Sequence, residues 1–389
     1  MTTRRASVSP LPGNVRLLGW ASFLNDVASE MVYPLLPQFL ITVLGGNRFH
    51  LGLIEGVADS ASSLLRLWAG MWSDRLGRRR VFVVLGYALA AAARPVIGLA
   101  TVPWHLLTAR AADRLGKGLR TAPRDALIAI SAPRELHGRA FGFHRAMDHL
   151  GAAVGPMLAA AWLLIWPDQL RALFLATLVP GVLVVVLLLA RLREAPVGEA
   201  RVETAGSSAA KLSPSLRWFL AALIVFTLGN SSDAFLLLRA RELGVAVPLL
   251  PLLWLAFHVV KSAGNLWLGR LVDRVGPRGP LLAGWLLYAA VYVTFALATE
   301  AWHAWVLFLV YAVFYALSEP AEKTLVARLA GARAQGRAFG WFNAAVGVSA
   351  LPASLIFGGL YEQLGPQAAF AFGAALALLA VCLLGLVRE

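Results

Sequence analysis

The stretch Ala69-Gly-Met-Trp-Ser-Asp-Arg-Leu-Gly-Arg-Arg-Arg80 returns in altered form as Leu268-Gly-Arg-Leu-Val-Asp-Arg-Val-Gly-Pro-Arg-Gly279, at an offset of 199 residues. Two further pairs keep nearly the same spacing. GRAFGF at Gly138–Phe143 matches GRAFGW at Gly336–Trp341, and RDALIA at Arg124–Ala129 matches EKTLVA at Glu322–Ala327, both at 198. The shared letters include Asp-Arg-x-Gly and Gly-Arg-Ala-Phe-Gly, which an excess of Ala and Leu does not generate. The chain reads as one unit duplicated in parallel.

The material around these repeats is too apolar for water. Of 389 residues, 59% are hydrophobic and 14% charged, with a mean hydropathy of +0.70. Soluble domains run near roughly 45–50% apolar and 25% charged, so a water-soluble globule is excluded. A disordered chain is excluded on the same ground. Twelve apolar stretches stand out, near 15–43, 50–72, 80–101, 103–126, 138–165, 169–190, 214–238, 247–269, 280–300, 302–327, 338–360 and 366–387. Most suit a tilted membrane helix, which needs about 20 residues, and the period-2 alternation of a barrel is absent. The expected fold is all-α and integral to the membrane, with twelve transmembrane helices in two pseudo-symmetric six-helix bundles.

Charge sets the expected topology. The net charge of +14 would suggest nucleic acid in a soluble protein, but here it is read first as a signal of sidedness. With a cytoplasmic N-terminus, about 22 basic residues fall on inner segments and about 4 on outer ones, which the positive-inside rule favours. Both termini are then cytoplasmic, at the inner membrane of the cell. Arg4 and Arg5 precede the first stretch, but its length and its Asp26 and Glu30 favour a retained first helix over a signal peptide. The polar run 191–213 reads as a cytoplasmic linker between an N-terminal bundle (1–190) and a C-terminal bundle (214–389).

Nine basic residues remain inside the spans. The fourth span carries four of them, Arg110, Arg114, Lys117 and Arg120, and with Asp113, Thr121 and Arg124 they recur every three or four residues and form one polar stripe on a helix. Facing lipid, such a stripe would cost several kcal/mol per charge, so it faces a hydrated cavity or paired carboxylates. Arg120 and Arg124 lie low enough to belong to the cytoplasmic interface, whereas Arg110 and Asp113 lie deeper. In the first span Asp26 and Glu30 share a face at i, i+4. An ionised pair there is costly without a base such as Arg110. In the second span Asp59 and Arg66 are placed to line the cavity or pair with Asp26, and Glu55 lies near the outer end. Arg94, before Pro95, is a partner for a second-span carboxylate.

The segment Gly70–Arg80, with its echo at Gly269–Arg278, resembles the loop signature between helices 2 and 3 of the major facilitator superfamily. The resemblance covers twelve spans, a central linker and both loops. It implies alternating access between the two bundles, with Gly70, Asp74, Arg75, Gly77, Arg78 and Asp125 as a conformational latch, and a charge relay through Asp74, Arg78 and Asp125. It also implies that Asp26, Glu30, Arg110 and Asp113 take part in proton coupling. Arg110 with Gly116 and Gly118 is similar to the superfamily's helix-4 motif. Arg114 and Lys117 depart from it, since drug exporters usually hold small or neutral residues there. Gly151 and Gly155-Pro156 resemble the helix-5 signature of antiporters, although Ala159-Ala160 replaces its final glycine pair.

Other candidates follow from polar residues in apolar runs. Asn230, Ser231, Ser232 and Asp233 interrupt the seventh span. His258, Lys261, Glu319 and Glu322 join Asp59, Arg66, Arg114, Lys117, Asn230 and Asp233 as expected cavity residues. Cys382 is the single cysteine, and no His/Cys/carboxylate cluster has metal-ligand spacing, so neither metal nor cofactor is expected. No phosphate-binding G-x-x-x-x-G-K-[ST] loop is present, so a built-in ATPase is excluded. No nucleophile–base set points to an intramembrane enzyme. The expectation is a monomeric secondary carrier, a proton-coupled antiporter exporting a small charged or amphipathic solute, anionic or zwitterionic. Proton symport or facilitated diffusion of an organic anion is the alternative, and a non-transporting receptor a lesser one.

Overall fold

The computed structural model describes residues 11–133, 136–194, 213–330 and 335–387, and among them every regular element is helical. Most of the expected linker, 195–212, lies outside the described residues.

Twelve helical segments follow in chain order. They are α1 (Gly13–Val32), α2 (Arg48–Leu76), α3 (Arg79–Gly98), α4 (Pro103–Ser131) and α5 (His137–Ile165). Then come α6 (Leu170–Ala176 and Leu178–Arg191), α7a (Pro214–Gly229) with α7b (Ala234–Glu242), α8 (Leu250–Val275), α9 (Arg278–Leu297) and α10 (Ala301–Ala330). The last run, Gln335–Leu384, is divided at Gly365 (φ 86°, ψ 175°) into α11 (335–364) and α12 (366–384). Beyond α1 the chain continues through short 3-10 and π turns to Val43, with Pro34 and Pro37 disturbing the α ladder.

Local chemistry explains several boundaries. Ser213 caps α7a by accepting a bond from the Leu216 N–H at 3.2 Å, with Pro214 at the first helical position. Gly77 (φ 60°) and Gly276 (φ 84°) turn the chain between α2 and α3 and between α8 and α9. They occupy equivalent places in the two repeats, and a side chain there would be strained. The seventh span was expected as one helix with a polar interruption. The helix in fact stops at Gly229 and restarts at Ala234, with Asn230–Asp233 unwound.

Eight helical runs among the described residues are long and apolar enough by themselves to cross a membrane, the joined α11 and α12 counting as one. The three segments outside that set are α1, α2 and α4, which are the ones carrying Asp26, Glu30, Glu55, Asp59, Arg110 and Asp113. Charges are tolerated at membrane depth where protein or water surrounds them, and tertiary packing provides that setting here.

The two halves meet along α2 against α11 and along α5 against α8. At the α2–α11 seam there is no room for side chains. A Cβ on Gly56 would stand 2.9–3.2 Å from Leu351, and Gly52 is pressed on the Ser354 carbonyl. The halves differ in filling. Arg94, Arg110 and Asp113 are buried together in the first. The positions 198 residues further on are Tyr292, Phe308 and Tyr311, all fully buried, with the Tyr292 and Tyr311 rings 6.3 Å apart. One repeat holds charges where the other stacks aromatics.

Candidate functional site

A cavity of ≈470 Å³ lies between the halves. From the first half, Glu30 and Tyr33 follow α1 into it, Asp59, Ser62, Ser63 and Arg66 come from α2, and Arg114 and Lys117 from α4. From the second half it meets the unwound Asn230–Asp233 segment, Trp254 and His258 of α8, Tyr315 of α10 and Ser354 of α11. Of the residues expected to line it, Asp59, Arg66, Arg114, Lys117, Asn230, Asp233 and His258 do so.

The unwound segment leaves polar groups without a helical ladder, and side chains satisfy part of them. Asp233 accepts hydrogen bonds from Tyr311 (2.8 Å) and Tyr315 (3.2 Å). Lys261 pairs with Glu319 at 2.8 Å and lies 3.9 Å from the Tyr315 ring centroid, so both sit beside the cavity as one neutralised unit. On α2, Asp59 is 4.0 Å from the Arg114 Nε.

Several expectations are corrected. Arg110 and Asp113 do not line the cavity. Each is 3% exposed, and they form a closed network behind it. The Arg110 guanidinium donates to both Glu55 oxygens (2.9 and 3.2 Å) and to Asp113 (3.3 Å), and Asp113 pairs with Arg94 at 2.9 Å. Glu55 is therefore buried and paired, not interfacial. Arg94 binds a fourth-helix carboxylate instead of a second-helix one, and also donates to the Asn25 carbonyl at 2.9 Å. Glu322 faces Trp285 of α9, whose indole donates to it at 3.4 Å, inside the second half. Asp125 pairs with its neighbour Arg124 at 2.9 Å and not with Arg78, which is exposed just ahead of α3. Of the latch, a Cβ on Gly70 would lie 3.3 Å from Ala122 Cβ of α4, and Arg75 is exposed. The Asp74 side chain lies outside the described residues.

Asp26 and Glu30 part company. Asp26 is half-buried and takes a 2.8 Å bond from the Asn25 amide, whereas Glu30 reaches the cavity and accepts from the Trp254 indole at 2.7 Å. The helix-5 motif explains their setting. A Cβ on Gly151 would lie 3.0 Å from Asp26 Cβ, and one on Gly155 would lie 3.1 Å from Glu30 Cβ and 2.6 Å from the Val27 carbonyl. The two glycines let α5 bring its backbone onto the acidic face of α1, and Ser22 and Asp148 hydrogen-bond across the same contact.

Tyr33 and Glu55 had no assigned part in this site. Tyr33 follows Glu30 by three residues and Glu55 precedes Asp59 by four, so helical spacing alone shared their faces. Their partners were not legible. Ser232 donates to Glu55 at 3.3 Å, which joins the buried charge network to the unwound α7 segment across the halves.

The cavity is closed on the side of the 44–47 loop. Arg48 at the start of α2 pairs with Glu242 (2.8 Å), and its backbone N–H donates to Glu362 (2.9 Å). Further in, Ser60 donates to the Gly347 carbonyl at 2.7 Å.

A two-bundle helical fold around an interfacial polar cavity defines the class of secondary carriers. The Major Facilitator Superfamily family model matches residues 18–240 and 218–389, and the chain belongs to that superfamily. It is 34% identical over 382 residues to an uncharacterized MFS-type transporter of Methanocaldococcus jannaschii, covering 96% of this chain and 94% of that one. It is 29% identical over 348 residues to the multidrug resistance protein MdtG of Citrobacter koseri, covering 84% and 83%. Among solved structures, a mutant form of the nucleoside transporter NupG superposes with a TM-score of 0.80 at 11% identity, covering 97% of this chain and 100% of that one. A bacterial homolog of the human lysosomal transporter Spinster, inward-facing and occupied, gives 0.74 at 16%, covering 96% of each chain. The chain is thus an integral, multi-pass membrane transporter.

Proposed function

We propose that this transporter is a proton-coupled antiporter that exports a small charged or amphipathic solute, anionic or zwitterionic. It resides as a monomer in the inner membrane with both termini cytoplasmic. Its rocking bodies are the halves 1–190 and 214–389, joined by the 191–213 linker. With that orientation, the closed 44–47 side faces outward and the cavity is offered to the cytoplasm. The likeness to a multidrug resistance protein supports the export direction.

One observation carries the reading. Glu30 is a cavity-lining carboxylate of the first half whose hydrogen bond comes from an indole of the second. Separation of the halves at this level breaks that bond, so the Glu30 carboxylate is held differently in the two states. A carboxylate whose contacts change with the conformational equilibrium is placed to couple a bound ion to it. Proteoliposomes test it. Glu30→Gln should abolish flux driven by an imposed proton gradient while sparing solute counterflow, and unchanged pH dependence would remove Glu30 from the coupling role. The sign of the gradient that drives uptake separates antiport from symport, and ligand binding without any flux would mark a receptor.

A further inference from the structure

The cavity leaves polar atoms buried and unpartnered, and they are sorted by type. On the first half, Arg66 Nε and Arg114 Nε are buried donors with no hydrogen-bond acceptor among the described residues. Asp59 stands 4.0 Å from the second of them, beyond hydrogen-bond reach. Lys117, one turn beyond Arg114, enters the same space with an exposed side chain. On the second half, the Asn230 Oδ1 is a buried acceptor with no donor, and it stands three residues from the Asp233 carboxylate in the unwound segment. Buried polar groups normally find partners, so two unmatched arginine donors on one wall and the unmatched Asn230 Oδ1 on the other, beside an Asp233 carboxylate held by Tyr311 and Tyr315, describe the two ends of a missing ligand.

From this sorting we propose that the site binds a zwitterion in one fixed orientation. Its acidic group lies toward Arg66, Arg114 and Lys117, and its ammonium lies toward Asn230 and Asp233. The proposal deepens the carrier reading above by naming the solute class. Trp254 and Tyr315 line the same cavity and give an apolar or aromatic linker a surface to pack on. His258, with its Nε2 also buried and unpartnered, stands edge-on to Trp254 at 4.7 Å and offers a further polar contact. A dicarboxylate would set one anion against Asp233, and a diamine would set one cation against the two arginines. Each has an end that the site repels. Because the two poles belong to different halves, a zwitterion ties the halves together, which neither a simple anion nor a simple cation does.

Calorimetric titration of the purified full-length protein decides the matter. The probes are ω-amino acids, dicarboxylates and diamines of matched length, with aliphatic and aromatic linkers. The amino acids should bind at least about tenfold more tightly than either symmetric series. Arg114→Gln and Asp233→Asn should each weaken amino-acid binding about tenfold, and Asp233→Asn should shift preference toward the dicarboxylate. Should a variant fail to fold, the ligand series on the unaltered protein still decides. Equal or tighter binding of a dicarboxylate or diamine overturns the proposal, as does the absence of saturable amino-acid binding at millimolar concentration. Amino-acid binding without counterflow in proteoliposomes would leave the bipolar site standing and remove the antiport reading. Counterflow of another solute without amino-acid competition would do the reverse.

Discussion

The Trp254 indole donates to the Glu30 carboxylate at 2.7 Å, so a second-half helix holds the cavity acid of the first half. Tyr33 lies 5.0 Å from the same indole and Phe257 stacks on it at 5.0 Å. The bond is made in the state closed on the 44–47 side. A hydrogen bond to a charged group contributes about 1.5–3 kcal/mol. Trp254→Phe keeps the ring contacts and removes the donor, so the closed state should lose about tenfold in population. The native Cys382 is exposed and is replaced by serine, with a reporter Ala350→Cys in the cavity lining. Labelling of that thiol from the 44–47 face by an impermeant reagent should accelerate, and an unchanged rate would refute the role of the bond.

The Arg94–Asp113–Arg110–Glu55 network is buried and ion-paired throughout. Removing one member leaves buried charge uncompensated, at a cost of about 3–5 kcal/mol. Arg110→Met should lower the melting temperature sharply. Adding Glu55→Met should recover a large part of the loss, because the carboxylate it orphaned is then gone. Additive losses in the double-mutant cycle would show that the pair does not act as a unit.

Gly155→Ala tests the α1–α5 contact. The added methyl would meet the Val27 carbonyl at 2.6 Å, an atom that cannot swing aside. Overpacking of this kind costs about 1–3 kcal/mol. Thermal unfolding of Gly155→Ala should come several degrees earlier than that of Gly359→Ala, a position with nothing within 4 Å. Equal melting temperatures would mean that α5 does not need this approach.

Arg48→Ala should loosen the closure at the 44–47 end by removing the guanidinium that stands 2.8 Å from Glu242 and 3.6 Å from Glu362. The pair is part-exposed, with Arg48 at 35%, and such bridges contribute about 0–1 kcal/mol each. The same thiol assay should show a few-fold faster labelling, smaller than for Trp254→Phe. The effect should shrink further in high salt, which screens exposed pairs, and a salt-independent rate would argue against an ionic latch.

The pseudo-symmetric turn glycines Gly77 and Gly276, and the duplicated loops beside them, were legible because a turn needs local chemistry only. The same holds for the glycine pair of α5, since close helix approach demands small residues at fixed spacing. The polar break at Asn230–Asp233 was visible as a run of residues unsuited to an apolar helix. That the ladder is actually broken there was not, because Asp233 is accommodated by Tyr311 and Tyr315 from a helix some eighty residues away in the chain. The α4 stripe was read correctly as charge that cannot face lipid. Its division was not legible, because Arg110, Asp113, Arg114 and Lys117 share one spacing pattern whether they meet protein or cavity.

By itself, then, the sequence determined the membrane class, the duplication, the helix count and the side on which polar residues gather, since each follows from hydropathy, repeat spacing and local turn chemistry. Only the tertiary structure decided that Glu55 neutralises Arg110, that Arg94 takes Asp113, and that Glu30 and not Asp26 reaches the cavity. A charge buried in the bilayer must find a partner, but which one it finds is fixed by the rotation and packing of helices distant in the chain, and helical periodicity specifies faces without specifying what they face.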